Sequence, residues 1–120
     1  MPQDFAPGDF LVFQLESGFG LLRVLGAGGD SNNPVWHLAA YRELFMDVDS
    51  AEEAAKQAPH LLTLEIPHVA LTNRAFESTQ VAKVTSAPLD NSETNPLNEW
   101  HADPKHQIHD RSIRLLLGLR

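Results

Sequence analysis

The sequence predicts an α+β domain: a strongly bent antiparallel sheet or partly open barrel of about five or six strands, with one or two short helices. Three observations carry this. Residues 8–26, GDFLVFQLESGFGLLRVLG, read as two strands joined by a glycine turn. Further β-type runs recur at 35–41, 60–66, 69–72 and 80–87. The clearest helix-start signal, followed by strong helix formers, is at residues 50–58.

The elements follow in chain order. Residues 1–7 contain two prolines and are expected to be a flexible lead-in. In the first strand Phe10, Val12 and Gln14 point one way and Leu11, Phe13 and Leu15 the other, because side chains alternate faces along a strand. Both faces are largely apolar, as in a strand covered on both sides. Ser17-Gly18 supplies the turn, and Gly18 and Gly20 flank Phe19 at a spacing suited to a bulge or a close backbone approach. The return strand carries Arg23 as its only charge. Residues 26–34, GAGGDSNNP, are turn-formers throughout and predict a loop. In 35–41 Trp36, Leu38 and Ala40 share one face, and Val35, His37, Ala39 and Tyr41 the other.

Residues 42–49 extend that strand or begin another. Ser50-Ala-Glu-Glu53 then has the pattern of a capping box, and Glu52 and Lys56 form an i,i+4 pair. Pro59 ends this helix after two or so turns, so it must pack its alanines on the sheet. Residues 88–98 are polar and turn-rich and predict a second loop. The terminal apolar block, Ile113 to Leu119, predicts a short helix capped by Asp110 or Ser112 and closed by Gly118, with a final strand as the competing reading.

Composition bounds function. With 120 residues the chain supports a single domain with one modest core. Nine Lys and Arg against 16 Asp and Glu give a net charge of −7, which disfavours sequence-independent binding to nucleic acid or to an anionic membrane. A basic protein partner suits the charge. The absence of cysteine rules out disulfides and thiolate metal sites and fits a reducing, cytoplasmic setting. The opening residues lack the basic and apolar regions of a secretory signal.

No nucleophile–base pair, phosphate loop or G-x-S-x-G elbow is present, so no catalytic residue and no cofactor are expected. The strongest physical lead is acidic: Asp47, Asp49, Glu52 and Glu53, with Glu43 just upstream, run without an intervening base. Helix-dipole and capping chemistry accounts for Asp49, Glu52 and Glu53 and less well for Glu43 and Asp47. A face for a basic partner accounts for all five, with Trp36 and Tyr41, and also Trp100, as aromatic anchors or else as core. The alternative from another class is a small metal-dependent enzyme built on His101, His106 and His109, of which the last two share a helix face if the segment is helical. A third reading is a subunit that joins a larger assembly through an exposed strand edge. His37, His60 and His68 are scattered and read as strand or turn residues.

The opening resembles immunity protein family 26 of bacterial polymorphic-toxin systems. The resemblance rests on Gly8-Asp9, the apolar run from Phe10 to Phe13, Phe19-Gly20 and Arg23-Val24. It continues in FESTQVAKVTSAPLDNSE, from Phe76 to Glu93, departing at position 80, where Gln stands in place of an expected tryptophan. The resemblance implies an SH3-like, β-rich protein that neutralises a cognate toxin by binding it. The acidic charge suits a basic nuclease as that toxin.

Overall fold

The computed structural model describes residues 5–118. Five antiparallel strands, β1 (Asp9–Leu15), β2 (Gly18–Asp30), β3 (Asn33–Tyr41), β4 (Leu64–Thr72) and β5 (Val81–Ser86), form one sheet in the order β4-β3-β2-β1-β5. The sheet does not close into a barrel. Helices α1 (Val48–Gln57), α2 (Asn73–Glu77), α3 (Asn91–Ala102) and α4 (Ile113–Leu116) surround it. No helix among the described residues is long and apolar enough to cross a membrane.

The alternation of β1 sets the architecture. Leu11, Phe13 and Leu15 join Leu22, Val24, Trp36, Leu38, Val69 and Leu71 in one core, closed by Phe76 of α2 and Ile113 of α4. Phe10 and Val12 join Leu21, Tyr41 and the α1 alanines Ala51 and Ala55 in a second core on the opposite face. Both faces of the hairpin are therefore buried. Leu15 pairs with Gly18, so the turn is Glu16-Ser17, one position earlier than the sequence suggests. Gly18 and Gly20 are close-approach glycines. A Cβ on Gly18 would lie 2.5 Å from the Phe45 carbonyl oxygen, and one on Gly20 would lie 2.6 Å from the Phe13 ring.

Several expectations are corrected. The glycine run is not a loop: residues 26–30 continue β2, and only a tight turn remains, where the Asp30 carboxylate accepts the amides of Asn32 and Asn33. Cross-strand pairing with β3 supplies the order that the glycines lack by propensity. Residues 88–98 are not a loop either. Asp90 and Glu93 form a reciprocal capping box that starts α3, and Pro96 lies inside the helix. The described residues thus hold four short α-helices rather than one or two.

α1 begins at Val48, with Asp47 rather than Ser50 as its cap; the Asp47 carboxylate accepts the Ser50 amide at 2.7 Å. An aspartate three residues earlier captures the free amides first. Residues 60–63 are not strand. Pro59–Leu61 form a 3-10 turn, and β4 runs through Pro67, which an edge strand tolerates because its missing N–H costs no ladder bond. Beyond Pro67 the outer edge of β4 is occupied: the His109 amide donates to the Ala70 carbonyl and the Thr72 amide to the His109 carbonyl. Of the terminal block, Ile113–Leu116 form α4, capped by Ser112, with Gly118 at φ +70°, while Leu119 lies outside the described residues. Of the expected lead-in, residues 1–4 lie outside the described residues, while Phe5 packs edge-on against Trp36 and Phe76.

Two stability predictions follow from these contacts. Asp47→Ala should lower the urea midpoint of the whole domain, whereas Ser50→Ala should leave it in place. Gly20→Ala should cost about 1–3 kcal/mol by driving a methyl into the Phe13 ring, measured by chemical denaturation.

Candidate functional site

The segment between β3 and α1 turns its acids and its unpaired apolar side chains outward together. Phe45 is fixed by two backbone hydrogen bonds to Phe19, each 2.8 Å, and its ring packs into the second core. Alternation then points Leu44 and Met46 away from the core, at 42% and 86% exposure. Val48, at the start of α1, is also exposed.

The five carboxylates singled out in the sequence flank them along the chain. Glu43 accepts the Thr63 amide at 2.7 Å, and although partial burial opposes it, that bond holds its carboxyl below the ordinary range. Asp47 is held low by its hydrogen bonds from Ser50. Asp49, Glu52 and Glu53 line a shallow depression of about 280 Å³ with Lys56 and Gln57. Lys56 pairs with Glu52 at 2.5 Å and neutralises one of the three.

The aromatic anchors expected beside this face are not there. Trp36 is 3% exposed; its ring stacks at 4.8 Å on Phe76, and its indole N–H donates to Asn73 Oδ1. Tyr41 is 8% exposed and stacks on Phe10, with burial pushing its phenol up to about 12. Both belong to the core because the alternation of β3 aims them at the two covered faces.

A second feature is a groove of about 460 Å³ beside the second core. Phe10, Tyr41 and Arg23 line it, with Leu62 and Pro67 from the β4 side and Glu93 from α3. Arg23 is 3% exposed yet well partnered. It donates to Glu93 at 3.1 Å, to the Gly8 carbonyl at 2.7 Å and to the Pro88 carbonyl at 3.2 Å, while its guanidinium lies 4.0 Å over the Phe10 ring. One side chain thus ties the start of β1, the strand β2 and the start of α3 together. Its being the only charge in an apolar strand was the sequence signal.

The third feature is an imidazole cluster. His101, His106 and His109, the alternative metal set, do not converge. His109 is engaged along β4 through its backbone, and His106 stacks on Trp100 at 3.9 Å. Among the described residues no group of three His, Asp or Glu side chains is arranged to hold a metal ion.

Instead His101 approaches His37, with ring centres 5.6 Å apart, and His37 Nδ1 lies 2.9 Å from His68 Nε2. His37 pairs with Ala70 across the β3–β4 ladder, so His68, two residues before Ala70, is its diagonal neighbour on the same face. Trp100 closes the cluster edge-on, 4.8 Å from the His37 ring. Room for these rings comes from the glycine run: Gly26 and Gly28 face His37 without a side chain, and Leu97 of α3 packs over Gly26. The sequence signal was two histidines at same-face positions of apolar strands, which becomes readable only once β3 and β4 are known to be adjacent.

Comparison with protein-family models, with curated proteins and with solved structures returned no match. The likeness to immunity protein family 26 therefore rests on the residues quoted for it.

Glu93→Ala should destabilise the domain by about 1–3 kcal/mol, since it removes the carboxylate partner of the buried Arg23 guanidinium and half of a capping box. Equilibrium denaturation checks it, with Glu99→Ala on the exposed face of α3 as the neutral control.

Proposed function

We propose that this chain is a non-catalytic binding protein that captures a basic protein partner on the surface of residues 43–53, as an immunity protein captures its toxin. The observation that supports this reading best is the exposure of Met46 and Leu44 in the same short stretch of chain as Glu43, Asp47, Asp49, Glu52 and Glu53. An exposed apolar island rimmed by charge is the composition of a docking surface. The apolar centre excludes water on contact, and the rim selects and steers a surface of opposite sign. The net charge of −7 adds long-range attraction for the same class of partner. A nuclease toxin fits because a surface evolved to hold phosphates also accepts carboxylates.

The test is to isolate the partner from the source cells on the immobilised chain and then measure the affinity of the purified pair by calorimetry. Asp49→Lys with Glu53→Lys should weaken binding about tenfold or more. Met46→Ser should weaken it by a similar factor. Raising the salt from about 50 to about 500 mM should weaken the wild-type pair and have little effect on the charge-reversed one. Asp47 is left intact because it caps α1. An affinity indifferent to both variants places the contact elsewhere and removes this reading.

A further inference from the structure

We propose that the imidazole cluster is a pH-sensitive clasp: neutral, it holds the C-terminal half of α3 on the sheet, and when His37 and His68 are both protonated it releases that half. The geometry demands that at least one of the two rings be neutral. A hydrogen bond between His37 Nδ1 and His68 Nε2 at 2.9 Å needs one ring to donate and the other to accept. With both rings protonated, two N–H groups face each other with no acceptor between them, and two like charges share a site.

The surroundings offer no remedy. From β2 only Gly26 and Gly28 face His37; from β4 comes His68, from α3 His101, and from the segment after α3 His106. No carboxylate is among the charges that act on either ring. Burial first, and then the neighbouring imidazoles, pushes His37 down to about 4; burial and His101 push His68 down to about 4. An unfolded histidine takes its proton near pH 6.5. The released state therefore binds more protons, and docking weakens progressively as the pH falls from about 6.5 towards 4.

What moves is the end of α3 rather than the domain. α3 buries no residue fully, and Pro96 interrupts its hydrogen-bond ladder midway. Its first turn is secured separately by the Asp90–Glu93 capping box and by Arg23. Its second half is held through Leu97 over Gly26 and by Trp100 and His101 against the cluster. The Trp100 indole N–H donates to the Gln107 carbonyl, which ties the loop after α3 to the helix end, while His109 stays on β4. The large core on the opposite face is built of apolar side chains such as Leu11, Phe13, Leu22 and Phe76.

The experiment follows backbone amide exchange and imidazole carbon shifts by NMR on the whole chain between pH 7.5 and about 4, corrected for intrinsic exchange rates. The expected result is that protection over residues 97–102 falls about tenfold or more, with the midpoint at which His37 and His68 become charged, while Leu11, Phe13 and Leu22 keep theirs. His68→Gln, which offers His37 a neutral hydrogen-bonding partner, should keep wild-type protection at pH 7.5 and lose most of the pH dependence. Retention of protection over 97–102 after both rings are charged overturns the clasp. So does loss of the sheet amides in the same step, which marks global acid unfolding. Should the variant fail to fold, the wild-type comparison of the two midpoints decides alone.

Discussion

The structure depends on the burial of one hairpin from both sides. β1 and β2 lie near the middle of the sheet, and each contributes to two separate cores. A strand covered on one face only could slip by two residues and keep its polarity pattern; here any slip misplaces large side chains on both faces at once. The close approaches at Gly18 and Gly20 fix the register further, since Phe45 backbone and the Phe13 ring fill the space a side chain would need. The remaining strands and helices are arranged by which face of this pair they cover. α2 and α4 close one core and α1 the other.

Two of the buried polar side chains, Arg23 and His37, are met by α3. At one end Arg23 is buried with Glu93, and at the other His37 is buried with His68. A helix that buries no residue fully is held chiefly by directional polar contacts, whose strength depends on protonation and on competing water. The apolar cores carry no such dependence. The domain thus combines a sheet whose stability comes from area with a helix whose position comes from chemistry. The acidic segment before α1 stands apart from that polarity, its backbone fixed by Phe45 and the side chains of Leu44 and Met46 left exposed.

Much of the fold was legible. Alternation in residues 10–15 and 35–41 assigned the correct faces, the alanines of α1 pack down as their spacing implies, and Ile113–Leu116 of the terminal block are helical. The failures share a cause: local propensity was overridden by pairing or by an earlier cap. Residues 26–30 are poor strand formers that β3 holds in the ladder, and their lack of side chains is what admits Leu97 and the imidazoles. Asp47 took the cap assigned to Ser50, and Asp90 opened a helix through a stretch that composition marks as linker. The acidic residues were readable as a set because they are contiguous. His37 and His68 were not, because 31 residues separate them and only strand order brings them together.

The segment after α3 has one further effect. By lying along β4 at Ala70 and Thr72, the backbone of His109 fills hydrogen-bonding positions that another chain would otherwise find open, and Pro67 denies an intruder a donor just before them. That margin of the sheet is sealed by the protein's own C-terminal region. Losing His109 from that edge would expose the Ala70 carbonyl and the Thr72 amide, unpaired groups onto which a strand of a second molecule can add.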